Sequence, residues 1–572
     1  MEERRIDLEF WSKISEYWTD SKSAKARRKK STYVVTDDQV QRWLDNITLS
    51  PDQLAVVQQD EDTLLINGSA GSGKSIALVY RMMKAMHEEK LGSRVLYVSY
   101  NVTLIQDAQK RLSSSPKFWE LKNAGHDPHI HTFHNMAKEL LWQIGIKVPK
   151  FRASTKDVHH KMEVMRTHTG VFIDNFMESE THKSLPKEQQ LYKTHRKSFF
   201  MDEILWMKAN GFIYEEKYLE VERTGRGNNP RITKEQRKTI FRLYEEYNRV
   251  REEKYHGELD AEDYALLLLR YFDRIPESLK YDHIFIDEVQ DLQPMQIMVL
   301  AKLCKKTLTL SGDPKQRIYK RNPLSYKELG VEVEGKRNRR LKINYRSTKQ
   351  IMALAGSLQF LDTENDRESE KNFVREGLKP QIRYYSNVQK LNKWLVNEVH
   401  KIREADPGST IAVIHRYDDD YFKIKNSPIR AALAREFDLI TTDQYGHRFN
   451  LNSREKPLFF TDAYSVKGLE FDYVFILHFD RLHYPSQQRI EALDQLNKDR
   501  MSETYQKDED EIINDEKKVL YVALTRAKKQ VWLLYAGQSE LSISQFVRDF
   551  DTRDYEASGF KKSMYGKKAG SK

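Results

Sequence analysis

The sequence predicts an α/β protein built on parallel sheets, and three observations carry that prediction. Short, almost uninterrupted apolar runs alternate along the chain with helical segments, the pattern of strands buried on both faces. Several of these runs end in a polar or glycine-rich turn, where open α/β sheets bind their ligands. No internal repeat of about 20 to 50 residues is present, which argues against a solenoid.

The elements follow in order. Thr63-Leu64-Leu65-Ile66 is the first strand; the run Ile76 to Met82 beyond it is helical. Further strands are expected at Arg94 to Val98, His283 to Ile286, Thr307 to Leu310, Ile411 to Ile414, Leu458 to Phe460 and Tyr473 to Ile476. Residues 146–250 change character to long charged segments, such as 234–254, which read as helices of an inserted α-helical domain. The charged stretch 485–518 is expected to carry one helix and a mobile loop.

Composition narrows the function. At 572 residues the chain exceeds one ordinary core, and 39% hydrophobic with 11% aromatic residues excludes wholesale disorder. A single cysteine, Cys304, excludes a disulfide framework and a thiolate zinc cluster. No run approaches about 18 consecutive apolar residues, and the amino-terminal residues lack the apolar core of a secretory signal. The expectation is a soluble, cytoplasmic protein with no membrane role. Lys plus Arg number 96 against 85 Asp plus Glu, a net charge of +11 that favours polyanionic partners. The clustered basic residues lie at 22–30 (KSAKARRKK), 336–342 (KRNRRLK) and 561–572 (KKSMYGKKAGSK), each of which also reads as a solvated loop or terminus. His126, His129, His131 and His134 are close in sequence, but zinc is not expected there, because thiol partners are lacking.

The strongest chemical signal is Gly68-Ser69-Ala70-Gly71-Ser72-Gly73-Lys74-Ser75 between the first strand and its helix. Glycines such as Gly68, Gly71 and Gly73 let backbone N–H groups wrap phosphates, and the helix N-terminus adds positive charge. Lys74 is placed to reach the β- and γ-phosphates and Ser75 to hold Mg²⁺. Asp287-Glu288, at the carboxyl end of another strand, supplies a second Mg²⁺ ligand in Asp287 and a base for water in Glu288.

A series of ordered motifs then resembles the UvrD/Rep group of superfamily 1 helicases, from about Leu49 to Tyr535. Leu49-Ser50-Pro51-Asp52-Gln53 resembles the Q motif, His131-Thr132-Phe133-His134 the TFH motif, and the segment from Leu259-Asp260 to Leu268 a DFADLLL segment. Gly312-Asp313-Pro314-Lys315-Gln316-Arg317-Ile318-Tyr319 matches GDxxQxIY and Asn344-Tyr345-Arg346-Ser347-Thr348 matches NYRST. Tyr464 to Phe471 is similar to HSAKGLEF, and Leu520 to Ala527 to LxYVAxTRA.

The resemblance implies two RecA-like parallel-sheet domains with a helical insertion in the first, ATP and Mg²⁺ in the cleft between them, and single-stranded DNA across their tops. It implies that Gln53 reads the adenine edge, Tyr345 stacks on the base, Glu470 joins the nucleotide site, Gln316 senses the γ-phosphate, and Arg346 and Arg526 act as arginine fingers. Tyr100, Asn101, Thr132, Phe133, His134 and Tyr319 are the implied nucleic-acid contacts. The implied organisation is an amino-terminal extension over 1–48, a first domain from 49–145 and 251–335, the helical insertion at 146–250, a second domain over 336–545 and a basic tail over 546–572.

Four departures from that pattern matter. Ile76 stands where the group places an adenine-stacking arginine, Lys320-Arg321-Asn322-Pro323 replaces GWRG, and Tyr464 replaces a histidine. Near 417–457 the group's 2B insertion is absent or vestigial, so a protein partner or the basic runs are expected to stand in for it at duplex junctions. Two functions are weighed: a 3′-to-5′ single-strand DNA translocase and helicase, and a regulatory or remodelling ATPase that acts on a nucleoprotein or defence complex with nucleic acid as its activator.

Overall fold

In the computed structural model the described residues are 40–565 apart from 41–42, 45–46, 70, 149–171, 174, 192–196, 222–231, 255–258, 314, 316–323, 362–374, 418–420, 445–448, 450–455, 467–468 and 497–499. Gln316, Tyr319, Lys320-Arg321-Asn322-Pro323 and the basic run at 22–30 lie outside them, as do 566–572 of the tail.

Two sheets form, every paired strand parallel. Among the described residues the first contains β1 (Thr63–Gly68), β2 (Arg94–Ser99), β3 (Asp127–Thr132), β4 (Tyr281–Asp287), β5 (Cys304–Gly312) and β6 (Asn338–Leu341), in the order β3-β2-β4-β5-β1-β6. The second contains β7 (Gln381–Tyr385), β8 (Ile411–His415), β9 (Leu439–Ile440), β10 (Leu458–Asp462), β11 (Phe471–Ile476), β12 (Ala527–Ala536) and β13 (Glu556–Ser558), in the order β13-β7-β12-β11-β8-β10-β9. Parallel strands need crossovers, and the intervening helices supply them.

Both faces of each sheet are covered, which explains the near-continuous apolar runs. In β1, Leu65 joins the core under the helices Phe133–Gln143, Asp263–Arg270 and Pro294–Leu303, while Leu64 and Ile66 join the core under the helix Lys74–Glu88. That alternation is the period of two of a strand. A separate aromatic core, including Phe199, Trp206, Tyr218, Phe241 and Tyr244, holds the helices Lys197–Asn210 and Lys234–Lys254. Buried Lys208 in the first of these bonds Asp263 at 3.1 Å and pairs with Asp260, tying the helices to the first sheet's cover.

Several expectations are corrected. Residues 336–342 do not form a loop: β6 pairs in register with β1 (Leu65 with Asn338), so the first sheet runs past 335 to Leu341. Arginines suit this position because charge on an edge strand discourages pairing with another chain. The second unit does not end at 545, because β13 pairs with β7 and the aromatics Phe550, Tyr555, Phe560 and Tyr565 are buried in its core. At the other end Val40, Trp43 and Leu44 are buried too, Trp43 stacking 6.4 Å from Tyr80, so residues before 49 join the first core. The stretch 485–518 carries two helices, Gln487–Leu496 and Glu503–Leu524. Between β8 and β10 the described residues form the helices Tyr421–Lys425 and Pro428–Glu436 and the edge strand β9. No described helix is long and apolar enough to cross a membrane.

Candidate nucleotide and nucleic-acid site

The loop after β1 owes its shape to glycine. Gly71 and Gly73 have φ of 84° and 81°, a region that disfavours any residue with a Cβ. Space forbids one as well: a Cβ on Gly73 would lie 2.1 Å from Gln53 Nε2, and one on Gly71 would lie 2.4 Å from Arg346 Cβ. Lys74 opens the following helix with its side chain folded back over the loop, its Nζ donating to Gly68 O at 3.0 Å and Ser69 O at 3.2 Å.

Gln53 is a brace of this loop. Its Nε2 donates to Ser72 O at 3.1 Å, while its Oε1 accepts from Ser50 N at 3.0 Å inside the capping box that starts the helix Pro51–Gln58. Ser50 and Gln53 therefore fix the helix and the loop together. Ile76, one turn on, packs partly buried against the first core.

Asp287 ends β4, fully buried, and both neighbouring strands hold it. Tyr97 Oη on β2 donates to one carboxylate oxygen at 2.8 Å, and Ser311 Oγ on β5 donates to the other at 2.6 Å. Burial and the adjacent Glu288 charge raise the Asp287 pKa, opposed by hydroxyls that include Ser75. Ser75 and Asp287 are thus brought together, as their types predict. Tyr97 and Ser311 escaped sequence reasoning because each looks like an ordinary strand residue.

Glu288 adopts a left-handed conformation with φ of 50°, unusual for a non-glycine residue and a form of strain found at functional turns. Gln290 Nε2 donates to its carboxylate, and Gln290 Oε1 accepts from Asp313 N at 3.1 Å. One amide therefore links Glu288 to the turn after β5, in the motif that also contains Gln316.

The second unit covers this pocket through the residues that follow β6. Tyr345 N donates to Gly71 O at 2.9 Å, Asn344 is buried, and Ser347 Oγ donates to Ala527 O at 2.7 Å. Arg346 pairs with Glu470, which Lys528 Nζ approaches at 3.2 Å. Burial raises the Glu470 pKa but Arg346 and Lys528 outweigh it, and the carboxyl is held down at about 2. Arg526 is 2% exposed at the end of the helix Glu503–Leu524, donating to Val522 O at 3.1 Å and Leu469 O at 3.3 Å. Burial, with the Arg346 charge beside it, brings its guanidinium down to about 10.

The implied nucleic-acid contacts divide. Tyr100 and His134 lie just beyond the carboxyl ends of β2 and β3, their rings edge to face at 6.1 Å, and Tyr100 is 42% exposed. His134 Nε2 lies 3.2 Å from Ala261 O, and burial lowers its pKa. Asn101 directly precedes the helix Val102–Ser113 and is partly buried. Phe133 corrects the expectation of a stacking group, since it is 0% exposed and part of the core under the helices Phe133–Gln143 and Asp263–Arg270. Thr132 is the N-cap of the helix Phe133–Gln143, its hydroxyl accepting from Asn135 N at 3.3 Å. Both therefore hold His134 in place.

The residues fit the nucleotide and cation that the motifs imply. The hydroxyl oxygens of Ser69 and Ser72 are buried with no hydrogen-bond partner among the described residues, a cost that a phosphate acceptor would remove. Asp287 offers a carboxylate in a ring of hydroxyls, the oxygen donor set of a hard cation.

Comparison with known proteins agrees with this arrangement. The family model for the UvrD/REP helicase N-terminal domain matches residues 49–322, and that for the UvrD-like helicase C-terminal domain matches 339–445 and 463–538. The chain is 26% identical over 327 residues to the putative ATP-dependent DNA helicase YjcD of Bacillus subtilis, covering 54% of this chain and 38% of that protein. It is 23% identical over 409 residues to ATP-dependent DNA helicase PcrA of the same organism, covering 67% of this chain and 49% of the relative. A third relative, ATP-dependent DNA helicase srs2 of Schizosaccharomyces pombe, is 28% identical over 180 residues, 30% of this chain and 20% of that one. The chain thus spans about half, or less, of the length of these curated relatives. With the two models together matching most of the chain, on both sides of the pocket that the two sheets share, the protein belongs to the UvrD/REP helicase family.

Proposed function

We infer that the protein is an ATP-dependent motor that moves 3′ to 5′ on single-stranded DNA and acts as a helicase where that strand meets a duplex. The observation that carries this reading is the contact between Tyr345 N and Gly71 O: the phosphate loop belongs to one sheet, and the residues covering it lead into the other. A ligand bound under that cover senses both units, so its hydrolysis can be coupled to their relative motion.

Lys74 and the N–H groups of the loop bind the triphosphate, and Ser75 and Asp287 hold Mg²⁺, which neutralises phosphoryl charge when bound. Glu288 orients water and takes its proton, and the linked Gln290 fixes that carboxylate in place. Arg346 and Arg526 reach toward charge that develops on the transferred phosphoryl group, with Gln316 as sensor. Gln53 holds the loop, Tyr345 offers a ring to the base and Glu470 positions Arg346. Tyr100, Asn101 and His134 contact the strand, with Tyr319, outside the described residues, as a further stacking group by its motif, and sequence-tolerant stacking suits a motor that slides. Residues 336–341 move with the first motor unit and 342–565 with the second, and the helices within 146–250, which share their own aromatic core, form the insertion.

With only three short helical segments and β9 described between β8 and β10, duplex separation depends on a partner or on the basic termini. The test is displacement of streptavidin from biotin at either end of a single-stranded oligonucleotide under ATP. Displacement confined to the 5′ end supports the reading; strand-stimulated hydrolysis without displacement at either end would overturn it in favour of a remodelling ATPase.

A further inference from the structure

The histidine-rich stretch before His134 has no part in the nucleotide pocket. In β3 the residues Asp127, His129 and His131 alternate to one face of the strand, as a period of two requires. The helix Phe133–Gln143 begins directly after β3, and its Glu139 comes back to that face, with Oε2 3.6 Å from His131 Nε2. One ring nitrogen from each of His129 and His131 and one oxygen of Glu139 all lie within 4.8 Å of one another. A carboxylate oxygen of Asp127 is 2.8 Å from His129 Nε2, and Arg94 Nη1 is 3.9 Å from that same oxygen.

We propose that His129, His131 and Glu139 form a binding site for a late first-row divalent cation such as Zn²⁺, a structural clip between edge strand β3 and the helix that follows it. Two imidazoles and one carboxylate are a recurrent zinc donor set and suit this class of metal better than the all-oxygen preference of Mg²⁺ or Ca²⁺. Bonds of about 2.1 Å in a tetrahedron put donors about 3.4 Å apart. His131 and Glu139 are already close to that spacing, and small rotamer adjustments close the rest. The side chains of His129, His131 and Glu139 are 14%, 32% and 36% exposed, so the cation can enter from solvent and water can complete its shell. Asp127 supplies the second carboxylate that metal-bound imidazoles commonly need to fix the ring.

The position gives the clip a purpose. β3 pairs only with β2 among the described residues, so its outer edge is held by side chains rather than by a ladder. Three residues beyond His131 stands His134, against Tyr100. A cation bridging strand and helix fixes the corner from which those rings project, without entering the nucleotide pocket.

The experiment uses the full chain, stripped with a chelator and titrated with Co²⁺ and then Zn²⁺, followed by the visible Co²⁺ spectrum and by thermal melting. One Co²⁺ per chain with the intense absorption of a low-coordinate ion, displaced by Zn²⁺, is expected, together with a rise in melting temperature on binding. His129→Ala/His131→Ala should weaken binding by at least about tenfold, as should the milder Glu139→Gln, whereas His126→Ala, whose ring bonds Ser93, should retain it. Unchanged affinity in both site variants overturns the proposal, as does loss in His126→Ala alone. If the double histidine variant melts early in chelator, Glu139→Gln decides the matter, since a residue near the helix's solvent face can be exchanged for its amide without unfolding the strand.

Discussion

Arg346 and Glu470 form an ion pair across the second unit, joining the residues after β6 to those before β11, and Lys528 supports the same carboxylate from β12. A carboxyl held at about 2 against an ordinary 4.5 contributes stability that is complete above about pH 4.5 and lost as the pH falls toward 2. The melting-temperature gap between wild type and Glu470→Gln should therefore be constant from about pH 6 to 9 and shrink between about 4.5 and 2. A gap that changes around neutral pH would place its origin elsewhere. In assays Glu470→Gln should lower kcat/KM about tenfold or more, because Arg346 loses the partner that sets its position.

The phosphate pocket makes separable predictions. Lys74→Ala should abolish hydrolysis and weaken ATP binding, while Glu288→Gln should keep binding and lose turnover by several orders of magnitude. Gln290→Ala leaves the carboxylate present but unheld, and should cut kcat by about ten- to a hundredfold with KM within a few-fold. Single-turnover hydrolysis beside nucleotide binding distinguishes the three.

Arg526→Ala should leave nucleotide affinity within a few-fold and reduce strand-stimulated kcat by about 10³-fold or more. Because this guanidinium also satisfies Val522 O and Leu469 O in a buried place, the alanine variant should melt at a lower temperature as well. Arg526→Lys separates the roles: it keeps the charge but not the planar fork, so most of the kcat loss should remain. Restored turnover in the lysine variant would count against a finger.

Base selectivity tests the part played by Gln53. With its amide bonded to Ser72 O and Ser50 N and Ile76 in place of a stacking cation, discrimination between ATP and GTP should be weak. Gln53→Ala should weaken ATP and GTP binding to a similar degree by loosening the loop, measured by competition in one reaction. A loss confined to ATP would mean that Gln53 reads adenine after all.

The parts of this architecture visible in the sequence are those that local rules dictate. The apolar runs marking β1, β2, β4, β5, β8, β10 and β11 are legible because a strand covered on both faces has no polar side to break the pattern. Edge strands have that polar side: β3 reads Asp-Pro-His-Ile-His-Thr and β6 reads Asn-Arg-Arg-Leu, so neither stands out. In the pocket, Lys74, Ser75 and Asp287 carry their chemistry in their spacing. Tyr97 and Ser311 act only because β2 and β5 flank β4, a fact of strand order that no local window contains. Phe133 shows the opposite failure, a motif residue whose neighbours rather than its identity put it in the core.

The passage from β6 to Ser347 has a mechanical consequence. Leu341 is still paired with Gly68, Tyr345 is already bonded to Gly71, and Ser347 is anchored on Ala527, so the chain passes between the sheets through a tether of a few residues that also touches the phosphate loop. The described strands of the first sheet all precede that tether and those of the second all follow it. A lever with so short a fulcrum turns small displacements of a loop into larger excursions at its far end. On the motor reading proposed above, it would also work in reverse, so that a load dragging on the outer rim of either sheet would be felt as tension at Gly71.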